Sequence, residues 1–173
     1  MNIFLIGYMA SGKTTVGTAL AKKLNFRFVD LDHYIENKED MMVSEIFSLK
    51  GEIYFRKLES KYLEELINSD IKTVVSLGGG TPCYGNNLQL ILDADNTLSI
   101  YLKASLNELT KRLLKDKDKR PLIAHLNSEP ELLEFVGKHL FERSNYYNQA
   151  NKTVIVDKKS IEEVVEEIIL TLF

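Results

Sequence analysis

The chain has 173 residues, of which 45% are hydrophobic and 27% charged, with a net charge of −3; this is the balance of a single soluble globular domain able to bury its own core. It offers no general attraction to nucleic acid or to an anionic membrane surface, so neither is expected as a partner. A single cysteine, Cys83, excludes an internal disulfide framework, and no basic residue precedes the short N-terminal apolar run, so no leader is expected and the protein is placed in the cytoplasm.

Taken in chain order, the first predicted element is a strand, Ile3 to Ile6, apolar throughout as suits a strand covered on both faces. Gly7 to Thr14 follows and reads Gly-Tyr-Met-Ala-Ser-Gly-Lys-Thr, a match to the phosphate-loop pattern G-x-x-x-x-G-K-[ST]. Val16, Leu20 and Leu24 recur at helical spacing after it, so a helix opens at or just before Lys13. Strand, tight turn and helix start aim backbone N–H groups and a helix N-terminus at one anion. Lys13 adds a charge for the outer phosphates, and the Thr14 hydroxyl can ligand a magnesium ion.

A second strand is predicted at Phe26 to Val29, and Asp30 and Asp32 come directly after it. Alternation along a strand end places both carboxylates on one side, at the sheet edge where ligands bind in open α/β folds. One acid can hold the magnesium hydration shell and the other can take or orient an acceptor proton, whereas the structural alternative for Asp32 is a helix N-cap. Tyr34 to Asn68 reads as helix with no strand, too long for a simple crossover, and is expected to be an insertion that covers something. Within it Arg56 and Glu59 stand three apart and can touch. The predicted strand Thr73 to Leu77 runs into Gly78-Gly79-Gly80, bare backbone that lets a small polar ligand approach closely.

Further strands are predicted at Thr97 to Leu102 and Thr153 to Val156, alternating with helices as in a parallel α/β sheet. Between helical patterns, Lys115 to Pro121 crowds charges and drops its apolar periodicity; the structural alternative is a solvated loop, but between two helical segments of a nucleotide binder this is the composition of a mobile lid over phosphates. The last helix carries Ile161, Val164, Val165, Ile168, Ile169 and Leu172 on one stripe, and Ser160 with Glu163 forms a capping box at its start. His33, His125 and His139 form no spaced cluster and are read as surface or structural residues.

In order along the chain, the phosphate loop, Asp30-x-Asp32 with Ile35-Glu36, Ile46-Phe47, Gly51-Glu52, Phe55-Arg56-x-x-Glu59, Ser76-Leu77-Gly78-Gly79-Gly80, Arg120-Pro121-Leu122 and Arg143 before Tyr146-Tyr147 resemble the shikimate kinase family, P-loop kinases of the nucleoside-monophosphate-kinase type. The resemblance spans nearly the whole chain. It implies a three-layer α/β fold with a five-stranded parallel sheet in the order 2-3-1-4-5 flanked by helices. It also implies a single domain over residues 1–173, with a substrate-binding insertion at about 33–68 and a lid at about 113–126. The implied activity is ATP-dependent phosphorylation of the 3-hydroxyl of shikimate, on the route to chorismate and the aromatic amino acids, by a monomer that uses Mg2+.

Carried over residue by residue, the resemblance gives Lys13, Asp32 and Arg120 as catalytic, and Ala10, Ser11, Gly12, Lys13, Thr14, Thr15, Arg112 and Arg120 as the ATP site. It gives Asp32, Arg56, Glu59, Gly78, Gly79, Gly80 and Arg143 to shikimate, and Thr14 and Asp30 to magnesium. Guanidinium forks at Arg56 and Arg143 suit the acceptor's carboxylate, and Glu59 is expected to fix Arg56. Ala10 departs from the glycine common at its position, which matters only if that residue takes positive φ. Asp157 to Ser160 lacks the proline of the family's adenine loop, and no adenine contact is expected there. Another kinase of the same fold, such as a gluconate-type kinase, and a nucleotide-binding switch with a dead acceptor site are the competing readings.

Overall fold

A computed structural model describes residues 1–172. Five parallel strands, β1 (Asn2–Ile6), β2 (Arg27–Asp30), β3 (Thr73–Ser76), β4 (Thr97–Lys103) and β5 (Lys152–Ile155), form one sheet in the order β2-β3-β1-β4-β5. The apolar run of β1 lies at its centre, fully buried because strands flank both edges and helices flank the sheet. The five strands match the sequence expectations to within one residue at each end.

Helices α1 (Lys13–Leu24) and α8 (Ile161–Leu172) pack together, and α6 (Leu106–Asp116) packs on α7 (Glu129–Tyr147), with α5 (Asn87–Asp93) against β4. The expected insertion is three helices, α2 (Leu31–Glu39), α3 (Val43–Lys50) and α4 (Glu52–Ile67). The capping box of α8 is present: Glu163 N–H donates to Ser160 Oγ at 3.2 Å and Ser160 N–H to Glu163 Oε2 at 2.7 Å. Strand register brings the chemistry to one edge, since Asp30 pairs with Ser76 and Ser76 with Leu5, just before the phosphate loop. No helix among the described residues is long and apolar enough to cross a membrane.

Two local expectations are corrected. The strand stops at Asp30, so Asp32 is not a second strand position but lies in the first turn of α2; the cap is Asp30, whose side chain accepts the His33 N–H at 3.4 Å. Helix geometry, not strand alternation, turns Asp32 towards the same cavity as Asp30. The charged segment after α6 is also better anchored than its composition suggests. It starts as a 3-10 turn, Lys117–Lys119, with Leu113 before it and Ile123 after it fully buried, and Lys117 Nζ donates to the Leu126 carbonyl. Charges fill the exposed positions between two apolar pins.

Candidate active site

The cavity at the carboxyl edge of the sheet is about 570 Å³ and is walled by the phosphate loop, Asp30, Asp32, Ser76 to Gly79, Arg112 and Arg120. Gly12 caps α1 with φ 95°, and the helix begins at Lys13 with free N–H groups facing the cavity. Lys13 Nζ donates to the carbonyls of Gly7 at 2.8 Å and Tyr8 at 2.9 Å, which leaves its third proton for a ligand. Burial pushes the Lys13 ammonium down to about 8, against the pull of Asp32 and Asp30. Asp32 moves the other way. Burial, then the neighbouring charges of Asp30 and Glu59, raise its carboxyl to about 6, with Lys13 opposing. A carboxylate so raised is a better proton acceptor than an ordinary aspartate and is still ionised at neutral pH.

Ala10 has φ 63°, the left-handed conformation that costs a residue with a Cβ roughly 1–2 kcal/mol. Arg112 supports it: Nη1 donates to the Ala10 carbonyl at 3.1 Å while Nε donates to Glu108 at 2.8 Å. Ala10→Gly is therefore expected to relieve strain and, after the extra entropy of the unfolded chain, to raise stability by about 0.5–1 kcal/mol. Thermal melts check this; a lower melting temperature would mean the left-handed turn is not strained.

Thr14 Oγ1 donates to Asp30 Oδ2 at 3.0 Å, so the two expected metal ligands meet. Both are hard oxygen donors, and among the described residues no cluster of three or more His, Cys, Asp or Glu forms a metal cage. That donor set fits a magnesium ion, which keeps most of its water and takes few protein ligands.

The triglycine turn explains how the remaining expected residues converge. None of the three glycines has positive φ; closeness, not conformation, requires them. A Cβ on Gly78 would lie 3.0 Å from Thr81 Oγ1 and 3.4 Å from both Asp32 Oδ1 and Glu59 Oε1. On Gly79 it would lie 3.2 Å from Arg143 Nη1, and on Gly80 3.1 Å from Arg56 Nη1. Three successive bare residues thus back the Asp32 carboxylate, the Arg143 guanidinium and the Arg56 guanidinium. Arg56 Nη1 donates to Glu59 Oε2 at 2.6 Å, Nε and Nη2 reach Glu52 Oε1 at 3.4 Å, and Tyr84 stacks 3.8 Å beneath its Cζ. Glu59 is buried and also accepts from Thr81 Oγ1 at 2.6 Å.

Among the described residues, Ser11 Oγ and Arg120 Nε are buried polar atoms with no hydrogen-bond partner. In Arg120 that orphan sits on a side chain of the main cavity wall, as expected of a group awaiting an anion. Sequence reasoning missed Lys159, Ser160 and Ile161. They line a second cavity of about 210 Å³ with Ser11, Gly12, Thr15 and Arg112, beside the phosphate loop. It missed Tyr84 and Thr81 as well, whose only signal was their place within a turn of the glycines, and it gave Glu52 no contact with Arg56.

Comparison with known proteins agrees with this geometry. A family described as "Shikimate kinase" matches residues 9–173. A shikimate kinase of Flavobacterium psychrophilum is 50% identical over 171 residues, covering 99% of this chain and 98% of the relative. The crystal structure of shikimate kinase from Bacteroides thetaiotaomicron superposes with a TM-score of 0.89 at 35% identity, covering 99% of this chain and 98% of the other. Shikimate kinase from Acinetobacter baumannii, solved in complex with shikimate, gives 0.84 at 31% identity, covering 99% and 92%.

Proposed function

The chain belongs to the shikimate kinase family, and from that membership and the cavity we infer that it transfers the γ-phosphoryl group of ATP to the 3-hydroxyl of shikimate, giving shikimate 3-phosphate and ADP. The observation that supports the acceptor's identity is the triglycine turn: its three residues lie in turn against the Asp32 carboxylate, the Arg143 guanidinium and the Arg56 guanidinium, beside the cavity that Lys13 and Asp32 line. Shikimate is a carboxylate bearing hydroxyls, and that set is its complement.

Ala10 to Thr15 cradle the phosphates of ATP, with Lys13 on the outer ones. Arg112 and the Lys159–Ile161 wall of the second cavity flank the base, which extends the nucleotide site beyond the sequence expectation. Thr14 and Asp30 would hold a magnesium ion, which would supply positive charge to offset that of the phosphates. Arg56 and Arg143 bind the acceptor's carboxylate, Glu59 holds Arg56 in place, and Asp32 accepts the proton of the attacking hydroxyl. Arg120 meets the transferring group with its unpartnered guanidinium edge. Phosphoryl transfer asks little covalent chemistry of a protein, so positioning and fixed charge supply most of the acceleration.

Residues 113–126 form the lid. Amide exchange across the exposed positions between Leu113 and Ile123 is expected to slow on adding an ATP analogue with shikimate, while Ile123 is already protected without them. Equal exchange in both states rejects the lid. The reaction itself is tested by coupled ADP release across shikimate, gluconate and nucleoside monophosphates. Turnover with shikimate alone is the expected result; equal or faster turnover of gluconate would transfer the assignment to another kinase of this fold.

A further inference from the structure

His139, Arg143 and Tyr147 stand four residues apart on α7 and so share one face of it. His139 meets the phosphate loop, whereas Arg143 and Tyr147 both meet Gly79. The Tyr8 hydroxyl lies 3.0 Å from His139 Nδ1, and the Tyr147 hydroxyl donates to the Gly79 carbonyl at 2.6 Å. Arg143 lies between these two fastenings, its Cζ 5.8 Å from the Tyr8 ring and its Nη1 against Gly79.

We propose that Tyr8 and His139 are positioning residues for the acceptor: their hydrogen bond seats α7 on the phosphate loop and thereby holds the Arg143 guanidinium over the triglycine turn. The proposal rests on the reading of Arg143 as a ligand of the acceptor's carboxylate. Tyr8 occupies a free position of the phosphate-loop pattern, so phosphate binding does not require its side chain. Yet that side chain is almost fully buried, 1% exposed, and its partner is 131 residues away.

Both partners are neutral at pH 7. Burial pushes the Tyr8 phenol up to about 12, with Arg143 opposing, so it remains a donor at neutral pH. Burial and the Arg143 cation push the His139 imidazolium below its ordinary range, with Glu142 opposing, so the ring is neutral and free to accept. With the phenol as donor, Nδ1 accepts and Nε2 carries the proton. The rings reinforce this seat. His139 meets Tyr8 edge-on at 5.6 Å and Phe135 at 5.5 Å, and Phe135 meets His125 of the proposed lid at 6.4 Å. The backbone carbonyl of Tyr8 separately holds Lys13, so changing only the side chain separates the two duties.

The test is steady-state kinetics with shikimate and ATP varied separately in Tyr8→Phe, His139→Ala, the double variant, His139→Asn and Arg143→Ala. Loss of one neutral hydrogen bond predicts that Tyr8→Phe and His139→Ala each raise KM for shikimate about fivefold, with KM for ATP moving less than twofold. The double variant is expected to be no worse than the poorer single, because both remove the same bond. His139→Asn, which keeps an acceptor near the place of Nδ1, is expected to recover most of the loss. An unchanged KM for shikimate in Tyr8→Phe, while Arg143→Ala raises it, overturns the proposal. So does an equal rise in KM for ATP, or His139→Asn as poor as His139→Ala. If Arg143→Ala itself leaves KM for shikimate unchanged, the acceptor-site reading fails first.

Discussion

Lys13→Ala is expected to lower kcat on the order of a thousandfold, the scale of losing a fixed charge aimed at a reacting centre inside a closed site. The reason lies in the electrostatics of the loop. Lys13 is buried, its ammonium is pulled down to about 8, and it still carries its proton at pH 7 because Asp32 and Asp30 face it. Burial leaves little solvent to screen that charge, so it would act strongly on phosphates held by the loop. The fold is expected to survive. A lysine depressed by burial costs stability while it is charged, below about pH 8, and removing it offsets the two bonds lost at the Gly7 and Tyr8 carbonyls. The melting temperature at pH 7 should therefore stay within a few degrees of wild type. A second readout follows from reciprocity. Lys13 lowers the Asp32 carboxyl, so in Lys13→Ala that carboxyl should titrate above its present value of about 6. Near-normal kcat in a folded Lys13→Ala protein would contradict the phosphate-site assignment.

What the sequence revealed and what it hid divide by distance along the chain. The phosphate loop is eight contiguous residues whose geometry is local, so Gly7 to Thr14 could be read outright. Arg56 with Glu59 and the glycine triplet were legible for the same reason: one turn of helix and one turn of chain contain them. Strand positions followed from apolar runs because a parallel sheet is covered on both faces. The hidden features are held by long crossings. Arg112 reaches the Ala10 carbonyl 102 residues away, and nothing near Ala10 announces that its φ is positive and braced. Lys159 comes to lie beside the phosphate loop only because α8, which follows it, packs on α1. The cap sits at Asp30 and not at Asp32, where the structural alternative would have put it, because both aspartates satisfy the same local pattern and only the strand's end decides between them.

That correction sharpens the case of Asp32, the second large effect. Since Asp30 caps α2, Asp32 has no capping duty to explain its burial beside Lys13 and Glu59. A carboxyl raised from 3.8 to about 6 binds protons more readily in the folded state. Its ionised form therefore costs stability, progressively as pH rises from about 4 to 6 and fully above that. Asp32→Asn is expected to raise the melting temperature at pH 7–8. The same change removes the proposed proton acceptor, so turnover should fall by at least ~100-fold, the usual scale for a general base. A residue that is more stable when neutralised and nearly inactive when neutralised is held in place for its chemistry. The deciding measurement is the single-turnover rate of phosphoryl transfer from ATP to saturating shikimate in wild type and Asp32→Asn, with ATP affinity measured alongside. The account predicts a rate at least ~100-fold lower in Asp32→Asn with ATP affinity within twofold of wild type; a wild-type rate in the folded variant would contradict it.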